Sequence, residues 1–418
     1  MNSISRLLPR LERRLWILAA GRLLSQLGVG FTLFYAPLFF VDDVGLSATA
    51  VGLGLGSQSV SGLVGRFAGG SMTDAPRWGR RRTLLLSAAI SALADVVFVV
   101  TDGFSLFLWA NLLMGLGVGL YWPATEAVVA DVTSGSRRQE AFAIVRLADS
   151  LGLSLGVALG GAIIALFSTY RILFALDGVT FVLFFLTVFL AIPETLSEET
   201  TSGSFWQGWP IALRDRTLHL YVAINILFTL YLSQSQSTLP LYLSRFTSLE
   251  NHATIGGIFT WSIVLTVLCQ LPMVRWLGRF SQPQALAISL GFWVLHFGAV
   301  LLVGLGAISP LLFVIFGLTC LALATVSYTP VASALVVEMA PAAQRGVYLS
   351  VNSMCWAIGY LIGPPLGGWA LDQSLGHGFW LGLGATTLGG VAGLVGLQRR
   401  LGNDKNTGRQ PKIGVDNP

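Results

Sequence analysis

Five charged residues stand inside long apolar stretches of this chain: Arg22, Arg66, Glu126, Arg146 and Asp149. A charge so placed in a membrane costs several kcal/mol unless it is paired or wetted. The chemistry such residues support is proton exchange, because burial favours the neutral form of a carboxyl and an adjacent guanidinium favours the ionised form. A movement that separates the two then drives proton uptake or release. Glu126 and Asp149 are the candidate proton-coupling groups, with Arg22, Arg66 and Arg146 as their partners. Glu126 ranks first, because it follows the helix-bending Pro123 by three residues, where water can reach it. Two positive-to-negative pairs plus one further arginine also suit a fixed structural belt, so that reading stands beside the first. Asp95 and Asp177 fall nearer the opposite ends of their stretches, where snorkelling or loop pairing would serve, and His296 reads as a hydrogen-bonded structural histidine.

Other chemistries fit poorly. GLSLG at 152–156 satisfies G-x-S-x-G, yet a serine nucleophile elbow needs a strand, a turn and a helix, and Ser154 lies within a continuous apolar run. An intramembrane serine hydrolase is therefore a remote alternative. A phosphate-binding loop needs G-x-x-x-x-G-K, and Lys405 and Lys412 are the only lysines. Cys269, Cys320 and Cys355 stand singly, without C-x-x-C spacing, so neither zinc nor a disulfide framework is indicated. The chain reads as a non-enzyme with no metal and no cofactor, drawing its energy from a proton gradient.

The elements that must position these charges follow from composition. Of the 418 residues, 54% are hydrophobic and only 11% charged, against roughly 25% charged in soluble domains; mean hydropathy is +0.72. About twelve stretches exceed the ~18 residues that mark a spanning helix: 16–40, 48–72, 81–100, 104–131, 140–167, 171–192, 216–243, 253–276, 284–306, 309–338, 346–371 and 378–398. The expectation is an all-α membrane protein of twelve transmembrane helices in two pseudo-symmetric six-helix bundles. These are 1–192 and 216–398, joined by a cytoplasmic linker at 193–215 and followed by a polar cytoplasmic tail at 399–418. Glu194, Glu198 and Glu199 in the linker read as a solvated loop. At ~1.5 Å per residue, the five buried charges lie at a common depth of roughly 8–15 Å inside the inner surface.

Lys and Arg collect in alternate loops, Arg77, Arg80, Arg81, Arg82, Arg137 and Arg138 among them, while the other set keeps only Arg171 and Arg245. By the positive-inside rule both termini are cytoplasmic, in an inner (cytoplasmic) membrane. The pI near 9.3 is accounted for by that bias, so the expected partners are the lipid bilayer and a small-molecule substrate, with no nucleic acid and no obligate protein partner.

The chain also repeats itself. GLSLGVALGG at 152–161 and GYLIGPPLGG at 359–368 place Gly152, Gly156 and Gly160 opposite Gly359, Gly363 and Gly367, an offset of 207 residues. The same offset pairs Tyr121 with Tyr328, Pro123 with Pro330, Asp131 with Glu338 and Arg138 with Arg345. A six-span unit copied in parallel suits transporters whose halves are related by an axis along the membrane normal. Glycines every four residues line one helix face and admit a close neighbour. They serve either static helix packing or a smooth contact between the bundles.

Three stretches carry a family resemblance. GGSMTDAPRWGRRR at 69–82 is similar to the signature of the major facilitator superfamily, with Gly70 and Asp74 at the front, Arg77, Gly79, Arg80 and Arg81 at the back, and Ala75 and Pro76 inserted between. NLLMGLGVGLYWPATEAVVADV resembles the family's glycine-rich fourth span, with Asn111 where an arginine is usual. The fifth span resembles the antiporter motif G-x-x-x-G-P-x-x-G-G, with Val157 at the proline position and Pro364 in the second copy.

The resemblance implies a major facilitator fold and a secondary transporter working by alternating access. Beside the reading of Arg77, Arg80 and Arg81 as plain positive-inside charge, it supports a cytoplasmic latch in which Arg77 faces Asp131, with the duplication supporting a weaker partner at Glu338 and Arg345. It also implies a cavity lined by the first, fourth, seventh and tenth spans, which nominates Gln26, Phe34, Tyr35, Asn111, Tyr121, Trp122, Asn225, Tyr231, Gln234, Gln236 and Tyr328. Aromatics and amides without dense charge suit small amphipathic solutes. GRLLSQLGVGF in the first span is similar to exporters of the proton-antiporter branch, which favours efflux; Val157 counts against it and keeps uptake of a small metabolite as the alternative. A non-transporting receptor is third.

Overall fold

Each apolar stretch forms a helix for a common reason: a lipid-embedded backbone must satisfy every N–H and C=O within its own segment. The computed structural model describes residues 11–33, 35–36, 39–40, 43–46, 48–134, 137–167, 169–196, 208–246, 252–306, 309–373 and 375–406. Phe34, Glu198, Glu199 and the remainder of 197–207, and the tail beyond 406 lie outside them.

Among the described residues the long helices are α1 (Arg13–Leu33), α2 (Ala48–Asp74), α3 (Gly79–Val99), α4 (Phe104–Asp131), α5 (Arg137–Phe167) and α6 (Arg171–Ala191), then α7 (Arg216–Phe246), α8 (His252–Leu277), α9 (Gln282–Gly304), α10 (Pro310–Met339), α11 (Arg345–Asp372) and α12 (Gly376–Asn406). They match the twelve expected spans to within several residues at most ends. A seven-residue helix, Gly208–Arg214, precedes α7. Nine of the twelve are long and apolar enough to cross a membrane. Of the other three, α2 carries Ser57, Gln58, Ser59, Ser61 and Arg66. Large apolar side chains such as Val182, Leu186, Phe189 and Leu190 of α6 are exposed, as a lipid-facing helix requires.

The helices divide into two compact units. One takes the described residues up to Trp209 together with Arg345–Ala357, and the other takes Pro210–Gln344 with the residues from Ile358 on. The boundary therefore falls inside α11, whereas the duplication assigned that whole span to the second half.

In the first unit α2 packs on α4, α1 on α5 and α6, and α3 on α4 and α6. A knot of rings at one end, Phe39, Phe40, Phe98, Phe107, Phe174 and Phe181, forms a hydrophobic core; Phe40 and Phe107 have centroids 4.3 Å apart. In the second unit α9 packs on α10 and α12, α8 on α10, and α7 on α12, around Tyr231, Trp293 and Phe297.

The repeated glycines seat neighbours within their own units. Gly156 of α5 lies against the Leu27 carbonyl and the Gly30 Cα of α1, so that any Cβ there would collide with backbone. Gly152 and Gly160 meet Leu23 and Tyr35. In the second copy Gly359, Gly363 and Gly367 meet Thr229, Ser233 and Thr238 of α7. These contacts are packing within each unit.

Candidate functional site

Four of the five buried charges form one network in the first unit. Arg22 of α1 is fully buried. It donates from Nε to Asp149 Oδ1 at 2.9 Å, and from Nη2 to Asp149 Oδ2, a two-pronged pair across to α5. Its Nη1 lies 3.4 Å from the Thr125 hydroxyl of α4. Arg146, one turn before Asp149, donates from Nη2 to Glu126 Oε1 on α4, and its Nη1 stands 3.7 Å from Asp149 Oδ2. Two guanidiniums therefore offset two carboxylates at nine-tenths burial or more for Glu126 and Asp149. Glu126 Oε2 has no hydrogen-bond partner among the described residues.

Aromatic faces complete this network. Arg146 lies 5.0 Å from the ring centre of Trp122, while Arg22 lies 5.2 Å from Trp122 and 5.7 Å from Tyr121. Each guanidinium is attracted by the negative face of a ring. Arg66 does not join the belt. Its Nε donates to Ser353 Oγ at 2.7 Å on the opening turns of α11.

A second cluster is built from the signature stretch, with a different arginine from the one expected. Arg80, 1% exposed, donates from Nε to Asp131 Oδ2 at 3.1 Å and stands 3.1 Å from Asp74 Oδ1. Arg77 is exposed in the turn before α3, where its carbonyl accepts from Arg82. The physical reason is the inserted Ala75 and Pro76: α3 starts only at Gly79, so Arg80 falls in its first turn and folds back beneath α2. Arg345 reaches Asp131 Oδ1 at 3.0 Å, and Glu338 lies exposed at the end of α10. Asp74 accepts the amides of Gly346 and Val347, both at 2.8 Å, and so caps α11. Gly70 lies against Ser350 and the Gly346 carbonyl.

The linker adds a residue that the sequence reading left in solvent. Glu194 accepts the amides of Arg80 and Arg81 at 2.9 and 3.1 Å, a carboxylate at the N-terminus of α3. Gly79 permits this: its φ is +70°, and a Cβ there would strike the Glu194 carboxylate.

The nominated cavity residues are split. Asn111, Tyr121, Asn225, Tyr231, Gln234 and Tyr328 are buried: Asn111 donates to the Phe107 carbonyl, Tyr328 to Asn225, and Gln234 to the Gly363 carbonyl. Gln26, Tyr35 and Trp122 keep part of their surface, and Gln236 is exposed. His296 is buried, 2.8 Å from the Gly317 carbonyl, as a structural histidine should be. Asp95 and Asp177 depart from expectation. Each is 1% exposed, so neither snorkels, and no span periodicity signalled it.

The Major Facilitator Superfamily model matches residues 18–253 and 246–415. The chain is 27% identical over 386 residues to multidrug resistance protein MdtH of Photorhabdus laumondii, covering 91% of this chain and 92% of that one. It is 25% identical over 376 residues to a Na(+), Li(+), K(+)/H(+) antiporter of Planococcus maritimus, covering 80% and 85%. Among solved structures, a bacterial homologue of the iron transporter ferroportin in its outward-facing state superposes with a TM-score of 0.76 at 16% identity, over 93% of this chain and all of that one. At that identity the likeness is one of fold.

Proposed function

The chain belongs to the major facilitator superfamily and is a multi-pass membrane transporter of small molecules, not an enzyme; from that premise we propose that it exports small amphipathic compounds in exchange for protons by alternating access. The observation that carries the reading is the Glu126–Arg146–Asp149–Arg22 network, four charges from three helices inside the membrane-spanning part of the first unit. The names of the two relatives, a multidrug resistance protein and a cation/proton antiporter, point the same way.

In this reading Glu126 carries the exchanged proton. Its ionised form is held by Arg146 through Oε1, while Oε2 is left over to take a proton. Protonation cancels the charge that fixes Arg146, whose guanidinium then pairs with Asp149 alone. Trp122, already flanked by two guanidiniums, offers a face on which a cationic or aromatic solute competes with Arg146. Substrate and proton thus draw on one set of contacts, which is what obligatory exchange needs. Arg80, Asp131, Arg345 and Asp74 form the gate on the side that carries the arginine-rich loops. That side is cytoplasmic in this reading, with both termini inside and the proton gradient as the energy source.

The test uses inside-out membrane vesicles and a pH-sensitive dye, with cationic and neutral amphipathic compounds added to wild type and to Glu126→Gln. Compound-evoked proton release in wild type that is lost in Glu126→Gln is the expected result. Silence of the folded wild type toward every compound overturns the efflux reading. A response surviving in Glu126→Gln removes Glu126 from the role.

A further inference from the structure

Asp95 of α3 and Asp177 of α6 are the charged groups in the first unit that the network leaves unexplained. Both carboxyl oxygens of Asp95 and Oδ1 of Asp177 lack a hydrogen-bond partner among the described residues. The two carboxyls come from packed helices, α3 and α6. The Asp95 side chain lies against Gly178, the residue after Asp177, with its Cβ 3.2 Å from where a Gly178 Cβ would stand.

The surroundings form a small polar chamber in apolar walls. From α1, the Thr32 hydroxyl donates to Asp177 Oδ2 at 3.0 Å. Gly28 of the same helix leaves the space that Asp177 Oδ1 and the Thr180 hydroxyl fill, since a Cβ there would strike both. Thr180 itself donates to the Asp177 carbonyl. One turn from each carboxyl, Phe98 and Phe174 stack at 5.3 Å and, with Phe40 and Phe107, plug the end of the unit that carries the α3–α4 loop.

Among the described residues, no cation answers the pair. On the helices packed around it, Arg22 is engaged with Asp149, Arg146 with Glu126, Arg66 with Ser353, and Arg80 with Asp74 and Asp131. Arg171 turns outward to Asp102 and the carbonyls of Val99 and Thr101. Arg81 donates to the Phe189 carbonyl, Arg82 to the Arg77 carbonyl and Arg138 to the Thr133 carbonyl, while Arg137, at the start of α5, and Glu140 lie far along the helices from the pair. Two ionised carboxylates in such a medium repel, and one proton on either relieves that repulsion.

We propose that Asp95 and Asp177 form a binding site for one proton, buried between α1, α3 and α6 and separate from the arginine network. The pair binds as a unit: a proton on one carboxyl removes the repulsion that opposes charge on the other. That this proton exchanges during transport rests on the transporter reading above; that the pair holds it does not.

The test is infrared spectroscopy of the purified full-length protein in lipid nanodiscs, titrated with pH in a choline buffer. A protonated-carboxyl C=O band is expected at neutral pH in wild type and in Glu126→Gln, and its loss in the double variant Asp95→Asn, Asp177→Asn. Absence of the band in wild type overturns the proposal without any variant having to fold, and so does a band that survives in the folded double variant. Erasure of the wild-type band by sodium at constant pH identifies the occupant as a small metal cation and overturns the proton site. In vesicles, an unchanged compound-evoked proton signal in the double variant overturns the exchange step alone, while a silent wild type strikes the efflux reading and leaves the infrared result standing.

Discussion

Arg345 Nη1 lies 3.0 Å from Asp131 Oδ1, and the other oxygen of that carboxylate takes Arg80 at 3.1 Å. One side chain at the end of α4 thus ties the start of α3 to the start of α11. Cys355, 1% exposed on the same stretch of α11, reports on this tie. With Cys269 and Cys320 replaced by Ser, Arg345→Gln is expected to raise the rate of Cys355 alkylation by about three- to tenfold, the effect of losing a partly exposed ion pair worth roughly 1 kcal/mol. An unchanged rate would show that the pair does not hold α11.

Removing one member of the innermost pair should cost far more than removing both. Asp149→Asn strands a fully buried guanidinium, and losses of this kind run to about 3–5 kcal/mol. Arg22→Met with Asp149→Leu replaces the pair by apolar volume and is expected to recover most of the thermal stability in detergent. A double variant less stable than Asp149→Asn alone would contradict the pairing.

Gly79 combines a φ of +70° with a carboxylate packed where its Cβ would be. Left-handed backbone costs an L-residue about 1–2 kcal/mol, and displacement of Glu194 adds to it. Gly79→Ala should therefore lower the unfolding temperature more than Glu194→Gln, which keeps the shape and loses only the charge at the start of α3. Equal effects would mean that the backbone is not strained at that position.

Close approach of α1 and α5 depends on Gly156. A leucine there must push the Leu27 carbonyl aside, so Gly156→Leu is expected to cost about 1–3 kcal/mol and to lower the yield of folded protein. Gly368, where an added Cβ meets nothing within 4 Å, is the matched control: Gly368→Leu should leave stability unchanged. If the two behave alike, the glycine face is not a packing surface.

By itself the sequence determined the helices and their number. Apolar length decides what spans a bilayer, each span closes its own hydrogen bonds, and neither property needs a distant residue. Pro123 and the GLSLGVALGG repeat were legible for the same local reason, and the signature at 69–82 carried the family. Pairing was decided only in three dimensions. A membrane helix is apolar on its lipid face and its core face alike, so hydropathy does not reveal which way Arg66, Arg77 or Asp95 turns. The two residues inserted before α3 put Arg80 rather than Arg77 on Asp131, while rotation about the helix axes sent Arg66 to Ser353 and buried Asp95 and Asp177 on packed helices with no cation facing them among the described residues.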